Sequence, residues 1–141
     1  MIKFRLEDGA KLPKRGSAQA AGLDICANEL FTLYPGEQRL VKTDVFLADC
    51  PIDVYLRIAP RSKLAVRYGM DTLAGVVDSD YRGEVRVLLK NTGGEIASFR
   101  RGDAIAQLIP EKLALYSVSE VKHTSKTARG ARGITDKDLR L

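Results

Sequence analysis

Gly75-Val76-Val77-Asp78-Ser79-Asp80-Tyr81-Arg82-Gly83-Glu84 crowds four charged side chains into a turn between two apolar runs. Working outward from it, Glu84-Val85-Arg86-Val87-Leu88-Leu89 starts in alternation and ends as a buried run. Upstream, Val54-Tyr55-Leu56-Arg57-Ile58 alternates and puts Val54, Leu56 and Ile58 on one face of a strand. Leu30-Phe31-Thr32-Leu33 and Gln38-Arg39-Leu40-Val41 flank Tyr34-Pro35-Gly36-Glu37, which reads as a turn. Gly36, Pro51, Gly69, Gly93-Gly94 and Gly102 punctuate the chain at the intervals of an all-β domain. The one helix candidate in the middle is Ser62 to Tyr68, closed by Gly69, and Pro60 holds Ala59 extended ahead of it. Many short strands and one short helix predict an all-β, jelly-roll-like barrel or sandwich. Trp is absent and aromatics make up 6% of the chain, so the core must be mostly aliphatic.

A chain of 141 residues suits one domain. At this size roughly 68% of the unfolded surface is buried, enough for a core without staples. The net charge of +5 favours polyanionic partners, whether nucleic acid, anionic membrane or a phosphorylated small molecule. Between Lys122 and Arg132 stand four basic residues and His123, with no acid. This run is either a solvated tail or a phosphate-clamping arm. It has no apolar period and cannot pack by itself. The two cysteines, Cys26 and Cys50, lie in apolar stretches without a C-x-x-C pair. They read as small core residues in a reducing compartment, and a structural zinc site is not expected. The N-terminus has no signal-peptide pattern and no run approaches 18 apolar residues, so a cytoplasmic protein is expected.

Chemistry has few carriers. The single histidine, His123, lies in the polar arm, and any serine or cysteine triad would have to use it. Neither the Walker-type phosphate loop nor the Gly-x-Gly-x-x-Gly fingerprint occurs, so phosphates must be held by other means. Asp78 and Asp80, two apart, would share a face on a strand. They are either water-orienting carboxylates or an ordinary acidic turn. Ala59-Pro60-Arg61-Ser62-Lys63 is either an anion site at a helix start or a capped surface helix. In Arg101-Gly102-Asp103-Ala104-Ile105-Ala106-Gln107-Leu108-Ile109 the Arg-Gly-Asp tripeptide is too short to carry an adhesion reading. Gln107 shares a face there with two isoleucines, and a polar group so placed needs a partner, which a substrate could supply.

Taken together, these pieces resemble the trimeric dUTPase family. Ala21-Gly22-Leu23-Asp24-Ile25 is similar to its first motif, and Pro60-Arg61-Ser62-x-Leu64-Ala65 to its second. Ala74-Gly75-Val76-Val77-Asp78-Ser79-Asp80-Tyr81-Arg82-Gly83-Glu84-Val85 looks like the third, which is long and specific. Gly102-Asp103-x-Ile105-Ala106-Gln107-Leu108-Ile109 is similar to the fourth. The resemblance implies a homotrimer with active sites shared between subunits. It also implies hydrolysis of dUTP to dUMP and pyrophosphate, with Mg²⁺ held through the triphosphate and water rather than by protein ligands. By position, Asp78 would activate the water that attacks the α-phosphorus, with Asp80 in support. Tyr81 would stack on the deoxyribose and exclude a ribose 2′-hydroxyl. Backbone groups of Leu73, Ala74, Gly75, Val76 and Val77 would read the uracil edge in a β-hairpin pocket. Arg61, Ser62, Lys63 and Gln107 would contact phosphates, and Asp24 would support the phosphate and metal network. Residues 1–121 would form the β domain. Residues 122–141 would form an arm that closes over an active site, with Arg129 on the γ-phosphate. No stable nucleic-acid or membrane partner is expected.

The arm departs from the family pattern. Arg132 replaces a glycine, Ile134 stands where an aromatic normally stacks on uracil, and the Gly-Ser-Thr-Gly ending is absent. Stacking of an aromatic on a base is worth about 1–3 kcal/mol, so closure should be weaker unless Arg132 compensates electrostatically. Lys63 stands where a small residue is usual and Ala104 where a basic one is common. Two alternatives follow from the same fold: a binding or regulatory protein with weakened catalysis, and a dCTP deaminase-like enzyme. The Asp-Ser-Asp-Tyr wording argues against the second.

Overall fold

A computed structural model describes residues 1–133 of the chain. Its strands form four antiparallel sheets. β1 (Lys3–Leu6) pairs with β5 (Val45–Asp49), and β3 (Phe31–Leu33) with β10 (Ala97–Phe99). A three-stranded sheet runs β4 (Gln38–Val41), β9 (Val87–Asn91), β7 (Met70–Leu73). The largest runs β2 (Leu23–Cys26), β11 (Ala104–Lys112), β6 (Val54–Ala59), β8 (Val76–Val77). The expected all-β architecture is therefore present, and because no sheet closes on itself the sandwich form suits these pairings better than a barrel.

The local readings hold where alternation was strong. Along β6, Leu56, Ile58 and Ala59 are buried while Arg57 faces solvent. α1 spans Ser62–Tyr68 and ends at Gly69, whose left-handed φ of 69° returns its N–H to the Ala65 and Leu64 carbonyls. The Tyr34–Glu37 turn closes by a 3.0 Å bond from Glu37 N–H to the Tyr34 carbonyl. It joins β3 and β4 in different sheets, so it is a crossing and not a hairpin. The strand expected from Glu84 begins instead at Val87. Glu84 makes only an isolated bridge to Phe46, because its carboxylate is turned inward onto backbone N–H groups.

One core joins the sheets. Ile25, Leu33, Val41, Leu47, Leu56, Val85, Leu89, Ile105 and Leu108 are fully buried. Among the described residues, Phe31 and Phe99, stacked with centroids 4.9 Å apart, are its only buried aromatics, as the composition predicts. Cys26 and Cys50 are unpaired and half-buried at the edge of this core, not inside it. Burial pushes both thiols above their ordinary range, which makes them poor nucleophiles. β11 ends at Lys112, and from residue 113 to 133 there is no strand or helix and every side chain is exposed. Among the described residues no helix is long and apolar enough to cross a membrane.

Candidate active site

β8 is two residues long and lies at the edge of the largest sheet, where Val77 pairs with Leu56 and Val76 with Arg57. The chain leaves it at Asp78 and turns at once: Tyr81 N–H donates to the Asp78 carbonyl at 3.1 Å. Arg82 braces the turn from below, donating to the carbonyls of Ser79 (2.8 Å) and Tyr81 (3.0 Å). Asp78 and Asp80 thus sit in a turn and do not share a strand face, because the strand stops before them. The turn borders a cavity of about 460 Å³ walled by Ala74, Val76, Val77, Asp78 and Tyr81. That volume lies within the usual range of small-molecule sites. Asp80 and Leu73 are not part of this wall.

Leu73 to Val77 form a corner. β7 pairs antiparallel with β9, whereas β8 pairs with β6, so the stretch crosses to the neighbouring sheet within the long connection of the β7–β9 pair. Ala74 takes a φ of 53°, rare for a residue with a Cβ. The Gly75 carbonyl accepts from Ile58 N–H at 2.8 Å, which fixes the corner to β6. The result leaves Ala74 and Val76 at the cavity rim, with Asp78 exposed at its mouth.

A second group of expected residues gathers elsewhere. Arg61 is the N-cap of α1, extended (φ −83°, ψ 127°) and making no side-chain cap. Its guanidinium forks onto Asp24 instead, Nε to Oδ1 at 3.0 Å and the terminal nitrogen to Oδ2 at 3.2 Å, and also donates to the Ala104 carbonyl at 3.2 Å. Such a two-pronged pair holds both side chains in one orientation. Gln107 faces Asp24 across β11 and β2. Its amide donates to the Pro60 carbonyl at 3.0 Å, so a backbone group supplies the partner its apolar face requires. Gly22 makes room for it: a Cβ there would lie 2.3 Å from the Gln107 oxygen. Ser62 and Lys63 are exposed at the start of α1, and Lys63 shares with Arg61 and Arg67 the wall of a second cavity of about 490 Å³.

The two groups lie at opposite ends of β6. Asp78 follows the Leu56–Val77 pair, whereas Arg61 comes two residues after Ala59. Along an extended chain the six steps from Tyr55 to Arg61 span about 20 Å. Arg129 belongs to neither cavity wall; on the exposed segment it and Arg132 each donate to the other's carbonyl (2.9 and 3.1 Å). Ile134 and Thr135 lie outside the described residues.

A family model described as dUTPase matches residues 8–136. The chain belongs to the dUTPase family. The mouse deoxyuridine 5'-triphosphate nucleotidohydrolase is 46% identical over 129 residues, which cover 92% of this chain and 79% of the mouse protein. Among solved structures, a variant dUTPase of Staphylococcus bacteriophage 80alpha with dUpNHpp has a TM-score of 0.86 at 21% identity and covers 99% of each chain. A mutant dUTPase of phage phi11 of S. aureus, whose structure describes a structural Mg(II) ion, has a TM-score of 0.81 at 21% identity, covering 89% of this chain and 99% of that one. At such identity the two phage proteins share the dUTPase fold with this chain.

Sequence reasoning missed half of the cavity wall. Leu40, Ile58, Glu84, Val85 and Arg86 complete it. Glu84 and Arg86 carried a signal, a charged pair two apart just after the acidic turn. Their 2.6 Å ion pair shows why the pattern broke there. Leu40 carried none, because only the β4–β9 pairing brings it to the site.

Proposed function

We propose that this chain hydrolyses dUTP to dUMP and pyrophosphate, with Asp78 orienting and deprotonating the water that attacks the α-phosphorus. The observation that carries the reading is an exposed carboxylate at the mouth of a cavity of nucleoside size. In this reading the Leu73–Val77 corner offers backbone groups to the uracil edge and Tyr81 covers the deoxyribose. A general base so placed contributes roughly 10²–10⁴-fold to rate.

The phosphates require cations that this cavity does not offer freely. Its one guanidinium, Arg86, is engaged by Glu84. Arg61, Ser62, Lys63 and Gln107 are the better phosphate ligands, yet they sit at the other end of β6. A second copy of the chain would bring them to Asp78, and Arg129 of the arm would then reach the γ-phosphate. This supports a homotrimer with shared sites. Asp24 holds the Arg61 fork in place for that contact. Among the described residues no three carboxylate, histidine or cysteine side chains converge on one point. In this reading Mg²⁺, a hard ion that keeps its own waters, is carried by the substrate phosphates. Mg²⁺ would offset much of the substrate's charge of about −3 to −4. The unpaired cysteines support a reducing, cytoplasmic setting.

Pyrophosphate release from dUTP, dTTP, dCTP and UTP, with and without Mg²⁺, tests the reading. The expected result is Mg²⁺-stimulated release from dUTP far above the other three. Ammonia from dCTP, or no turnover of any by folded protein, would replace it with one of the other two readings.

A further inference from the structure

Glu84 lines the cavity, yet its side chain is only 11% exposed and fully engaged. One carboxylate oxygen accepts from the successive N–H groups of Thr43 and Asp44, both at 3.0 Å. The other accepts from Arg86 Nε at 2.6 Å. The corner it grips is unusual, since Asp44 takes a φ of 55°. Two consecutive N–H groups in such a corner converge on one point and call for an anion there. The contact is reinforced on either side: Thr43 Oγ1 donates to the Val85 carbonyl and Val85 N–H to the Val45 carbonyl, each at 2.7 Å.

The same residue holds Tyr81. The phenol is 45% exposed, and its hydroxyl donates to the Glu84 carbonyl at 3.1 Å. Gly83 lets it pass: a Cβ there would lie 2.3 Å from the hydroxyl oxygen. The tether of the exposed ring therefore ends on a backbone that the Glu84 side chain fixes to the Thr43–Asp44 corner.

We propose that Glu84 is a positioning residue, whose side chain sets the place of the Tyr81 ring and so the discrimination between deoxyribose and ribose. The inference rests on the sugar-facing role given to Tyr81 above. A merely structural ion pair would affect stability and leave substrate choice alone, so substrate choice is the readout.

The test compares kcat/KM for dUTP with that for UTP in wild type and variants. It also compares the affinities of dUpNHpp and its ribose counterpart by calorimetry. Glu84→Ala is expected to lower both ratios at least fivefold. Glu84→Gln, which keeps an oxygen for both N–H groups, should hold them within twofold. Should Glu84→Ala not fold, Glu84→Asp keeps the charge but withdraws it from the corner, and at least a threefold fall is expected. Unchanged ratios in folded Glu84→Ala or Glu84→Asp overturn the proposal alone. A Glu84→Gln as impaired as Glu84→Ala overturns it too. A wild type with no preference for the deoxyribose overturns the Tyr81 reading and the proposal with it.

Discussion

Burial by itself would raise the Glu84 carboxyl. The N–H bonds from Asp44 and Thr43 and the Arg86 contact outweigh burial and hold it below its ordinary value. Asp44, facing it, is lowered against burial by Asn28 and Lys42, and Glu29 nearby is lowered chiefly by Arg39. A carboxyl lowered by folding stabilises above its unfolded pKa, and that contribution is lost as pH falls through the folded value. The Tm advantage of wild type over Glu84→Gln should therefore be present at neutral pH and shrink once pH drops below about 4. Melting curves across that range check it, and a constant difference would show that the charge is not what Glu84 contributes. At this scale the sequence was a partial guide. Asp78 and Tyr81 stood in a long, specific stretch and do share a wall. Asp80, equally conspicuous, does not, because a turn rather than a strand follows Val77.

Among the elements, β6 carries most of the architecture, pairing with β11 on one side and β8 on the other. Leu56 is fully buried where β6 meets β8. Leu56→Ala should cost about 2–5 kcal/mol of stability, read by denaturant unfolding, and disturb the cavity with it. The strand and its partners were legible because alternation is local. The crossing at Leu73–Val77 was not legible, because nothing in five residues tells which sheets its two flanks will join. The segment after Lys112 offers a second prediction. If it closes over substrate through its cations, Arg129→Ala should raise KM for dUTP roughly tenfold, and Arg132→Ala by a smaller factor. Unchanged kinetics in both would mean the segment is idle.

For the whole molecule, the separation of Asp78 from Arg61 along β6 is the feature with most consequence. Neither group's sequence context shows it, since both motifs read as complete on their own. It predicts complementation. Asp78→Asn and Arg61→Ala should each be nearly inactive, yet an equal mixture, dissociated and reassembled, should regain about a quarter of wild-type turnover if each site joins two subunits. Sites made within one chain would show no recovery. Sedimentation of the wild type should show a trimer alongside.

Kinetics of Asp78→Asn bear most directly on the chemistry. The account predicts kcat for dUTP reduced roughly 10²–10⁴-fold, with dUpNHpp affinity kept within a few-fold of wild type. A folded Asp78→Asn that turns over dUTP at the wild-type rate would contradict it.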